Sequence, residues 1–330
     1  VIGVPRERGY QENRVALTPQ AVTQLVGLGH EVIVESKAGV ASFFSDQAYS
    51  EAGARIVYEI EELYKAHVIV KVGPIPTDEI KHLSPGKILF SAIHLPTMQE
   101  EYLKALLDKK IIGIAYEYFR DKSDSLPIVR SMSEIAGSSA ILIAAEYMSN
   151  QFQGNGKLLG GVSGIPPSKV VILGAGTVGE FAARTALGLG SDVRIFDNSI
   201  SRLKRLQNNL GQRVFTSVIQ PEILGEELRS ADVAVGAMHA EKGRAPMVVS
   251  EEMVQRMKAG AVIIDVSIDQ GGCFETSEIT NHTKPVFKKY DVIHYCVPNI
   301  PSRVSQTASV SLSNVLGNLL IDAGEHGGVE

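Results

Sequence analysis

The sequence predicts an α/β protein of two domains, each built on a parallel sheet with helices on both faces. Apolar, β-branched runs alternate along the chain with helix-like segments, which is the pattern of parallel sheets. The chain has 330 residues, enough for about two domains with sizeable cores.

The first third of the chain contains one series of strands and helices. Thr18 is a predicted N-cap, Pro19 the first helical residue and Gly29 the terminator. The predicted strands are 1–4, 31–35, 68–72, 87–92 and 111–116, and further helices are predicted at 58–65 and 98–109.

The second series follows a long helix. Ser131-Met-Ser-Glu134 has the form of a capping box, which predicts a helix from there to about residue 149. A loop rich in Gly, Pro and Ser covers 151–167. Strands are then predicted at 232–237, 261–266 and 292–297, and helices at 251–257 and from 307 to about 323. The last helix returns the chain to the first domain.

A glycine-rich turn stands near the start of the second series. An apolar run ends at Gly174, and Gly174, Gly176 and Gly179 form a G-x-G-x-x-G loop before a helix-like segment. These glycines permit a tight turn, close approach of a pyrophosphate and close packing of helix on strand. The helix N-terminus offers unpaired N–H groups to phosphates. Asp197 lies roughly 20 residues further on, where a carboxylate can accept hydrogen bonds from ribose hydroxyls. The loop predicts a dinucleotide-binding, Rossmann-like domain.

Four polar residues lie where ligands bind in such sheets, outside the carboxyl ends of the strands. Arg14 follows the first predicted strand, Lys71 and His94 lie near the ends of two others, and Asp269 follows a fourth. We expect them to converge on a cleft between two Rossmann-like domains.

Each of these residues also has a structural interpretation. His94 suits a buried core histidine as well as a catalytic one, Arg14 suits an ordinary surface position, and Asp269 suits a turn. A functional role is favoured for Lys71, since a lysine in a buried parallel strand is costly unless its charge is paired. Asp265, earlier on the same run as Asp269, is predicted to be structural.

Composition excludes several classes of partner. The formal net charge is −5, and 44% of residues are hydrophobic and 21% charged, which favours neither nucleic acid nor an anionic membrane. No apolar stretch reaches the roughly 18 residues needed to span a bilayer, and no signal peptide precedes the first strand, so we expect a cytoplasmic protein without membrane contact. Cys273 and Cys296 are expected to be buried thiols of a reducing compartment, although a disulfide between them remains an alternative. The histidines have no metal-type spacing, so no metal is expected.

Six segments together resemble bacterial L-alanine dehydrogenases. They are Asn13-Arg-Val-Ala-Leu-Thr-Pro19, His94-Leu95, Met132-Ser-Glu-Ile-Ala-Gly137, the Gly174 loop, Ile268-Asp-Gln-Gly-Gly-Cys-Phe-Glu275 and Tyr295-Cys-Val-Pro-Asn-Ile-Pro301. The resemblance runs through nearly the whole chain. It implies NAD as the cofactor and the conversion of L-alanine, NAD+ and water to pyruvate, ammonium and NADH.

The resemblance also implies roles for single residues. Arg14 and Lys71 would hold the substrate carboxylate and carbonyl, His94 would be the catalytic acid/base, and Asp269 would act on the water and the imine. The cofactor contacts implied are Ser133, Gly174, Gly176, Val178, Gly179, Asp197 and Asn299. The family is commonly a homo-oligomer, a hexamer, with a discontinuous substrate domain. We therefore assign 1–128 and 307–330 to the substrate domain and 129–306 to the NAD-binding domain.

The chain departs from the family pattern at three places. Residues 238–246 differ from the usual loop beside the nicotinamide, Val304-Ser-Gln-Thr307 lacks the usual proline, and the sequence ends at Glu330, short of the usual tail, which predicts a trimmed chain. The run Arg202-Leu-Lys-Arg205, predicted to be a solvated helix face, leaves NADP recognition as a minor alternative.

Three other functions remain open. The first is an NAD(H)-binding subunit like that of transhydrogenase, and the second a non-catalytic NAD-binding protein. A saccharopine dehydrogenase-like enzyme is the third.

Overall fold

The computed structural model describes residues 1–95, 98–240 and 243–325. The chain divides into two units, of which unit 1 comprises Val1–Met132 and Ser302–Glu330, and unit 2 comprises Ser133–Pro301. Unit 1 is therefore built from two separate segments. The sequence analysis placed the domain boundaries at 128/129 and 306/307, whereas the units meet at 132/133 and 301/302.

Unit 1 contains a six-stranded sheet in which every pair of neighbours is parallel. Its strands are β1 Ile2–Val4, β2 Val32–Glu35, β3 Arg55–Val57, β4 Val68–Val70, β5 Ile88–Ser91 and β6 Ile112–Ala115. Four helices connect them: α1 Pro19–Gly27, α2 Asp46–Glu51, α3 Ile60–Leu63 and α4 Glu100–Asp108. The spatial order is β3-β2-β1-β4-β5-β6, which is the Rossmann order. The strand order reverses between β1 and β4, where ligands bind in folds of this type.

A 21-residue helix, α5 Pro127–Tyr147, leads from unit 1 into unit 2. The capping box predicted at Ser131 is wrong, because the helix begins at Pro127 and the Ser131 hydroxyl donates to the carbonyl of Ile128 instead. Proline suits the first turn of a helix, where its missing N–H has no acceptor to lose.

Unit 2 contains a seven-stranded sheet. Its strands are β7 Lys169–Leu173, β8 Asp192–Phe196, β9 Phe215–Ser217, β10 Val233–Gly236, β11 Val262–Asp265, β12 Val286–Lys289 and β13 Val292–Tyr295. The helices are α6 Thr177–Gly188, α7 Ile200–Leu210, α8 Pro221–Arg229 and α9 Glu251–Gln255. The order β9-β8-β7-β10-β11-β13-β12 is again Rossmann-like. The strand β12, at one edge of this sheet, is antiparallel to β13, and sequence patterning missed it. The predicted α/β class with two Rossmann-like domains is confirmed.

The last described element is α10 Ser305–Glu325, which belongs to unit 1. Leu312 and Leu316 of α10 are buried in the same core cluster as Val22 and Leu25 of α1. The polar side of α10 contacts the loop that carries Arg14.

Among the described residues one helix, α5, is long and apolar enough to cross a membrane by length and composition alone. The sequence analysis had noted no such stretch, because small and polar residues interrupt it. Ala140, Ile141 and Ala144 of this helix are completely buried in the unit 2 core, as in the core helix of a globular domain.

Candidate active site

Lys71 and Glu7 form a buried ion pair at the point of unit 1 where the strand order reverses. Lys71 comes directly after β4 and has no exposed side-chain surface. Its Nζ lies 3.1 Å from Oε2 of Glu7, whose side chain is 4% exposed. The same carboxylate accepts hydrogen bonds from the backbone N–H of Val72 at 2.7 Å and of Gly73 at 3.4 Å. Burial raises the pKa of the Glu7 carboxyl, and the Lys71 charge and the Val72 N–H oppose that rise.

The loop that carries Glu7 is held from its other side. The N–H of Arg6 donates to Oε2 of Glu35 at 2.8 Å, and the Arg8 guanidinium binds both oxygens of the same carboxylate. Arg8 also lies 3.0 Å from the carboxylate of Glu79. These contacts fix the backbone on both sides of Glu7, so its carboxylate is directed towards Lys71.

Arg14 is bound through its guanidinium to Glu12. Its Nε donates to Oε1 at 2.8 Å and its Nη2 to Oε2 at 2.6 Å, which is the bidentate arrangement that guanidinium and carboxylate favour. Burial alone lowers the pKa of Arg14, and the hydrogen bonds and charge of Glu12 reverse this, so its pKa is raised. Nη1 lies 3.4 Å from Sδ of Met132. The Arg14 side chain is 14% exposed.

Serines of the C-terminal segment hold the backbone around Arg14. The N–H groups of Val15 and Thr18 donate to the hydroxyls of Ser309 and Ser313, each at 2.9 Å. Ser309 and Ser313 are completely buried, one helical turn apart on α10. The C-terminal return of the chain therefore fixes the loop that presents Arg14.

His94 follows β5 and adopts a left-handed backbone conformation, with φ of 55°. Non-glycine residues rarely adopt this region, and such outliers cluster at functional sites. Glu117, in the turn after β6, accepts hydrogen bonds from the N–H groups of His94 at 2.7 Å and of Ile93 at 3.1 Å. The His94 side chain is exposed.

In unit 2 the glycine loop joins β7 to α6. A Cβ at Gly174 would lie 2.3 Å from the carbonyl oxygen of Ala237, and one at Gly179 would lie 1.8 Å from that of Gly174. A Cβ at Gly176 would meet nothing within 4 Å. Gly174 and Gly179 therefore permit close packing. Gly176 faces open space at the N-terminus of a 12-residue helix, whose first N–H groups have no intrahelical acceptor. This arrangement suits a bound pyrophosphate.

Asp197 is buried at the end of β8, beside this loop. Its Oδ2 accepts the N–H of Ala175 and its Oδ1 that of Ser199, each at 2.7 Å. These bonds fix the carboxylate and leave further lone pairs on both oxygens. Arg205 lies on the exposed face of α7 as predicted, and its guanidinium also donates to the carbonyl of Ala175 at 3.2 Å.

Asp269 lies in the short 3₁₀ turn Val266–Gln270 that follows β11, with its side chain exposed. Asp265, at the start of this turn, is completely buried and accepts from Ser267 N, Cys273 N and the Ser277 hydroxyl. Burial raises the pKa of Asp265, and these hydrogen bonds oppose the rise. Asp265 thus organises the turn that presents Asp269. Both cysteines are free and buried, so no disulfide joins them.

The unusual loop 238–246 is attached to this same turn, although its Glu241 and Lys242 lie outside the described residues. The amide of Gln270 bonds both the N–H and the carbonyl of Ala240, each at 3.0 Å. The guanidinium of Arg244 donates to the carbonyl of Gly271 at 3.1 Å. The altered loop is therefore held beside Asp269.

The remaining predicted cofactor residues lie in unit 2. Ser133 is half-buried in α5, and Val178 lies in the first turn of α6, where its carbonyl oxygen would lie 2.3 Å from a Cβ at Gly137. Asn299 has φ of 57°, a second left-handed residue among the predicted site positions.

Sequence reasoning missed three acidic residues that hold the predicted ones: Glu7, Glu12 and Glu117. Glu117 follows a parallel strand, so the carboxyl-end rule that selected His94 would have found it. Among the residues that the structure describes, no cluster of His, Cys, Asp and Glu could hold a metal ion.

Comparison with known proteins identifies relatives of the entire chain. Residues 3–136 match the N-terminal domain of the family described as alanine dehydrogenase/PNT, and residues 140–330 match its C-terminal domain. An alanine dehydrogenase of Staphylococcus saprophyticus is 42% identical over 315 residues, which are 95% of this chain and 85% of that protein.

Two solved structures extend the comparison. An L-alanine dehydrogenase superimposes with a TM-score of 0.93 and 39% identity, covering 99% of this chain and 90% of that one. A transhydrogenase from Sinorhizobium meliloti superimposes with a TM-score of 0.86 and 25% identity, covering 98% and 92%. The resemblance noted in the sequence is confirmed, and the chain belongs to the alanine dehydrogenase/PNT family.

Proposed function

We propose that this protein catalyses the reversible, NAD-dependent oxidative deamination of L-alanine to pyruvate and ammonium. The observation that carries the proposal is the 42% identity to an alanine dehydrogenase over 95% of the chain. Membership of this family makes the protein an oxidoreductase with an NAD-binding domain.

The glycine loop of unit 2 supports NAD as the cofactor. We assign the pyrophosphate to the backbone of Gly174, Gly176, Val178 and Gly179, since Gly176 faces open space at a helix N-terminus. We assign the ribose hydroxyls to Asp197, and further cofactor contacts to Ser133 and Asn299. NAD, when bound, would supply the hydride acceptor, while the protein supplies binding, orientation and electrostatics.

Arg14 and Lys71 supply the positive charge that a small α-acid requires. Arg14 is the direct ligand in this proposal, because its guanidinium has donors beyond the two that Glu12 occupies and its side chain is not fully buried. Lys71 has no exposed surface and is bound to Glu7, so a direct contact with substrate requires its side chain to leave that position.

His94 and Asp269 have the exposure that acid–base work needs. We propose that the His94 imidazole exchanges protons with the substrate and with water, since one ring nitrogen of an imidazole can donate a proton while the other accepts one. The Asp269 carboxylate orients the water that attacks the imine and offsets the positive charge there. The left-handed backbone at His94 and the hydrogen-bonded turn at Asp269 preorganise both groups.

The finer features of the family are also proposals for this chain. We propose a homo-hexamer in the cytoplasm. We assign the substrate domain to residues 1–128 and 307–330 and the NAD-binding domain to 129–306.

A cofactor-binding role without an amino-acid substrate is the second candidate. The TM-score of 0.86 to a transhydrogenase favours it, as does the altered loop at 238–246. A spectrophotometric assay separates the two functions.

We expect L-alanine to reduce NAD+, pyruvate with ammonium to oxidise NADH, and NADP+ to be used poorly because Asp197 repels a 2′-phosphate. L-serine and 2-aminobutyrate would react more slowly, since one methylene is worth only about 1–3 kcal/mol of discrimination. L-glutamate and L-lysine would be inert. NADH binding without turnover of any small amino acid would contradict the enzyme and support the second candidate.

A further inference from the structure

The backbone at His94 needs support that its own sequence does not supply. Its φ of 55° lies in the left-handed region, which few non-glycine residues adopt. Its carbonyl oxygen accepts the N–H of Met98 at 3.1 Å. The N–H groups of Ile93 and His94 point together at one acceptor.

That acceptor is the carboxylate of Glu117. Its Oε1 lies 2.7 Å from the His94 nitrogen, and its two oxygens lie 3.1 and 3.2 Å from the Ile93 nitrogen. Successive N–H groups beside a left-handed residue form a concave site for an anion, and here the anion is a side chain. Because charged acceptors bind N–H groups more strongly than neutral ones, Glu117 favours this backbone conformation over alternatives.

Glu117 is itself placed by the sheet and by its neighbour. β5 and β6 are parallel and pair Ser91 with Ala115, so the residues that follow the two strands lie side by side. Tyr116 is buried, packs edge-on against Phe90 at 5.7 Å between ring centroids, and donates its hydroxyl to the carbonyl of Val72. The turn that presents Glu117 is therefore anchored in the core of unit 1.

We propose that Glu117 is a positioning residue for His94: its carboxylate holds the backbone turn that aims the imidazole at the substrate. The inference rests on the proposed function, in which His94 exchanges protons, and it adds a residue that acts only through His94. A residue that merely stabilised the loop would not depend on the presence of the imidazole.

A double-mutant cycle makes that distinction. We would measure kcat and KM for pyruvate amination with Glu117→Ala, Glu117→Gln, His94→Ala and the double variant His94→Ala/Glu117→Ala. NADH binding would be followed by the fluorescence of NADH, since the chain has no tryptophan. Glu100→Ala is the control, because it removes a carboxylate from an exposed ion pair with Lys104 in the same unit.

We expect Glu117→Ala to lower kcat by about 10- to 100-fold, the scale of a misplaced catalytic group, while NADH binding changes less than about twofold. Glu117→Gln should retain intermediate activity because its amide oxygen still accepts an N–H. In the His94→Ala background, loss of Glu117 should cost almost nothing further.

The inference would be overturned if Glu117→Ala lowered kcat by the same factor in the wild-type and His94→Ala backgrounds, or if it left kcat unchanged. The proposed function would remain intact in either case. If Glu117→Ala fails to fold, the cycle runs with Glu117→Gln and the same criteria apply. A wild-type protein without turnover, or a His94→Ala variant with full activity, would instead refute the proposed function and remove the inference with it.

Discussion

Lys71 and Glu7 are buried together, so each depends on the other to balance its charge. Removing one partner of a buried ion pair leaves an uncompensated charge and typically costs about 3–5 kcal/mol. We expect Glu7→Gln and Lys71→Met each to lower the free energy of urea unfolding by about that amount. The double variant should lose much less than the sum, because no charge then remains buried.

The control for this pair is Glu100→Gln, which breaks an exposed ion pair and should cost at most about 1 kcal/mol. Additive losses in the Lys71 and Glu7 variants would show that the two side chains are not coupled. The KM for pyruvate of the double variant then reports whether Lys71 also contacts the substrate, since the loss of a direct ligand would raise this KM.

Gly176 and Gly179 of the nucleotide loop should differ in how well they tolerate substitution by alanine. Gly179→Ala places a methyl group 1.8 Å from the Gly174 oxygen, so the loop must shift, and both stability and NADH affinity should fall. Gly176→Ala has room and a φ of −77° that alanine accepts, so its stability should stay within about 0.5 kcal/mol. Its methyl group would nevertheless occupy the space assigned to pyrophosphate, and NADH should bind about tenfold more weakly.

Gly188→Ala is the matched control for Gly176→Ala, since it lies at the other end of α6 and its Cβ also meets nothing within 4 Å. NADH titration and thermal unfolding of the three variants complete the test. Wild-type NADH affinity in Gly176→Ala would refute the pyrophosphate assignment.

The site could be predicted from the sequence only in part. Lys71 and His94 are identifiable because polar residues interrupt or close apolar runs. Glu117 follows a strand end and could have been selected by the rule that selected His94, whereas Glu7 could not, since its pairing with Lys71 joins segments far apart in the chain. A carboxylate in a polar loop has no local pattern that distinguishes such a partner from a solvated residue.

At the scale of elements, α10 contributes to the site through its serines. Ser42 donates to the carbonyl of Asn13, so the Ser309 hydroxyl accepts the Val15 N–H and donates to Ser42. Ser309→Ala leaves the buried Val15 N–H without this acceptor, and we expect a loss of about 1–3 kcal/mol in stability. Because Val15 adjoins Arg14, the KM for pyruvate should rise several-fold while NADH affinity stays unchanged.

Ser311→Ala provides the comparison on the same helix, since Ser311 is only half-buried. The substitution also removes a serine hydroxyl, but one that lies away from the loop. A Ser309→Ala variant with wild-type KM would show that the α10 contacts stabilise unit 1 without positioning Arg14.

Most elements could be predicted because their residues agree with the fold locally. The strands β4, β5, β10 and β11 consist mainly of buried apolar residues, and the glycine loop has a distinctive spacing. The strands β3, β9 and β12 have three or four residues each and expose part of their length, so no alternation could reveal them. Their strand conformation depends on pairing with a neighbour.

At the scale of the whole molecule, one buried histidine should link stability to pH. His294 on β13 is completely buried, and its Nδ1 lies 3.0 Å from the Val292 carbonyl. Nδ1 must therefore donate, and in the neutral ring Nε2 accepts the hydroxyl of Thr276 at 2.8 Å. Burial lowers the pKa of His294 to about 4, and nearby Lys289 adds to the effect.

The sign of the pH dependence follows from proton uptake. Between pH of about 6.5 and 4 the unfolded chain binds a proton at His294 that the folded protein excludes, so stability is full above this window and falls as the pH drops through it. We expect His294 to account for about 1–2 kcal/mol of lost stability between pH 7 and 5. His294→Phe keeps a ring in the core and removes the ionisation, so its urea midpoint, followed by circular dichroism, should fall less over that range even if the variant is less stable at pH 7. An equal fall in the two proteins would mean that His294 is protonated as readily in the folded state as in the unfolded one, and that the acid sensitivity arises from carboxylates elsewhere in the chain.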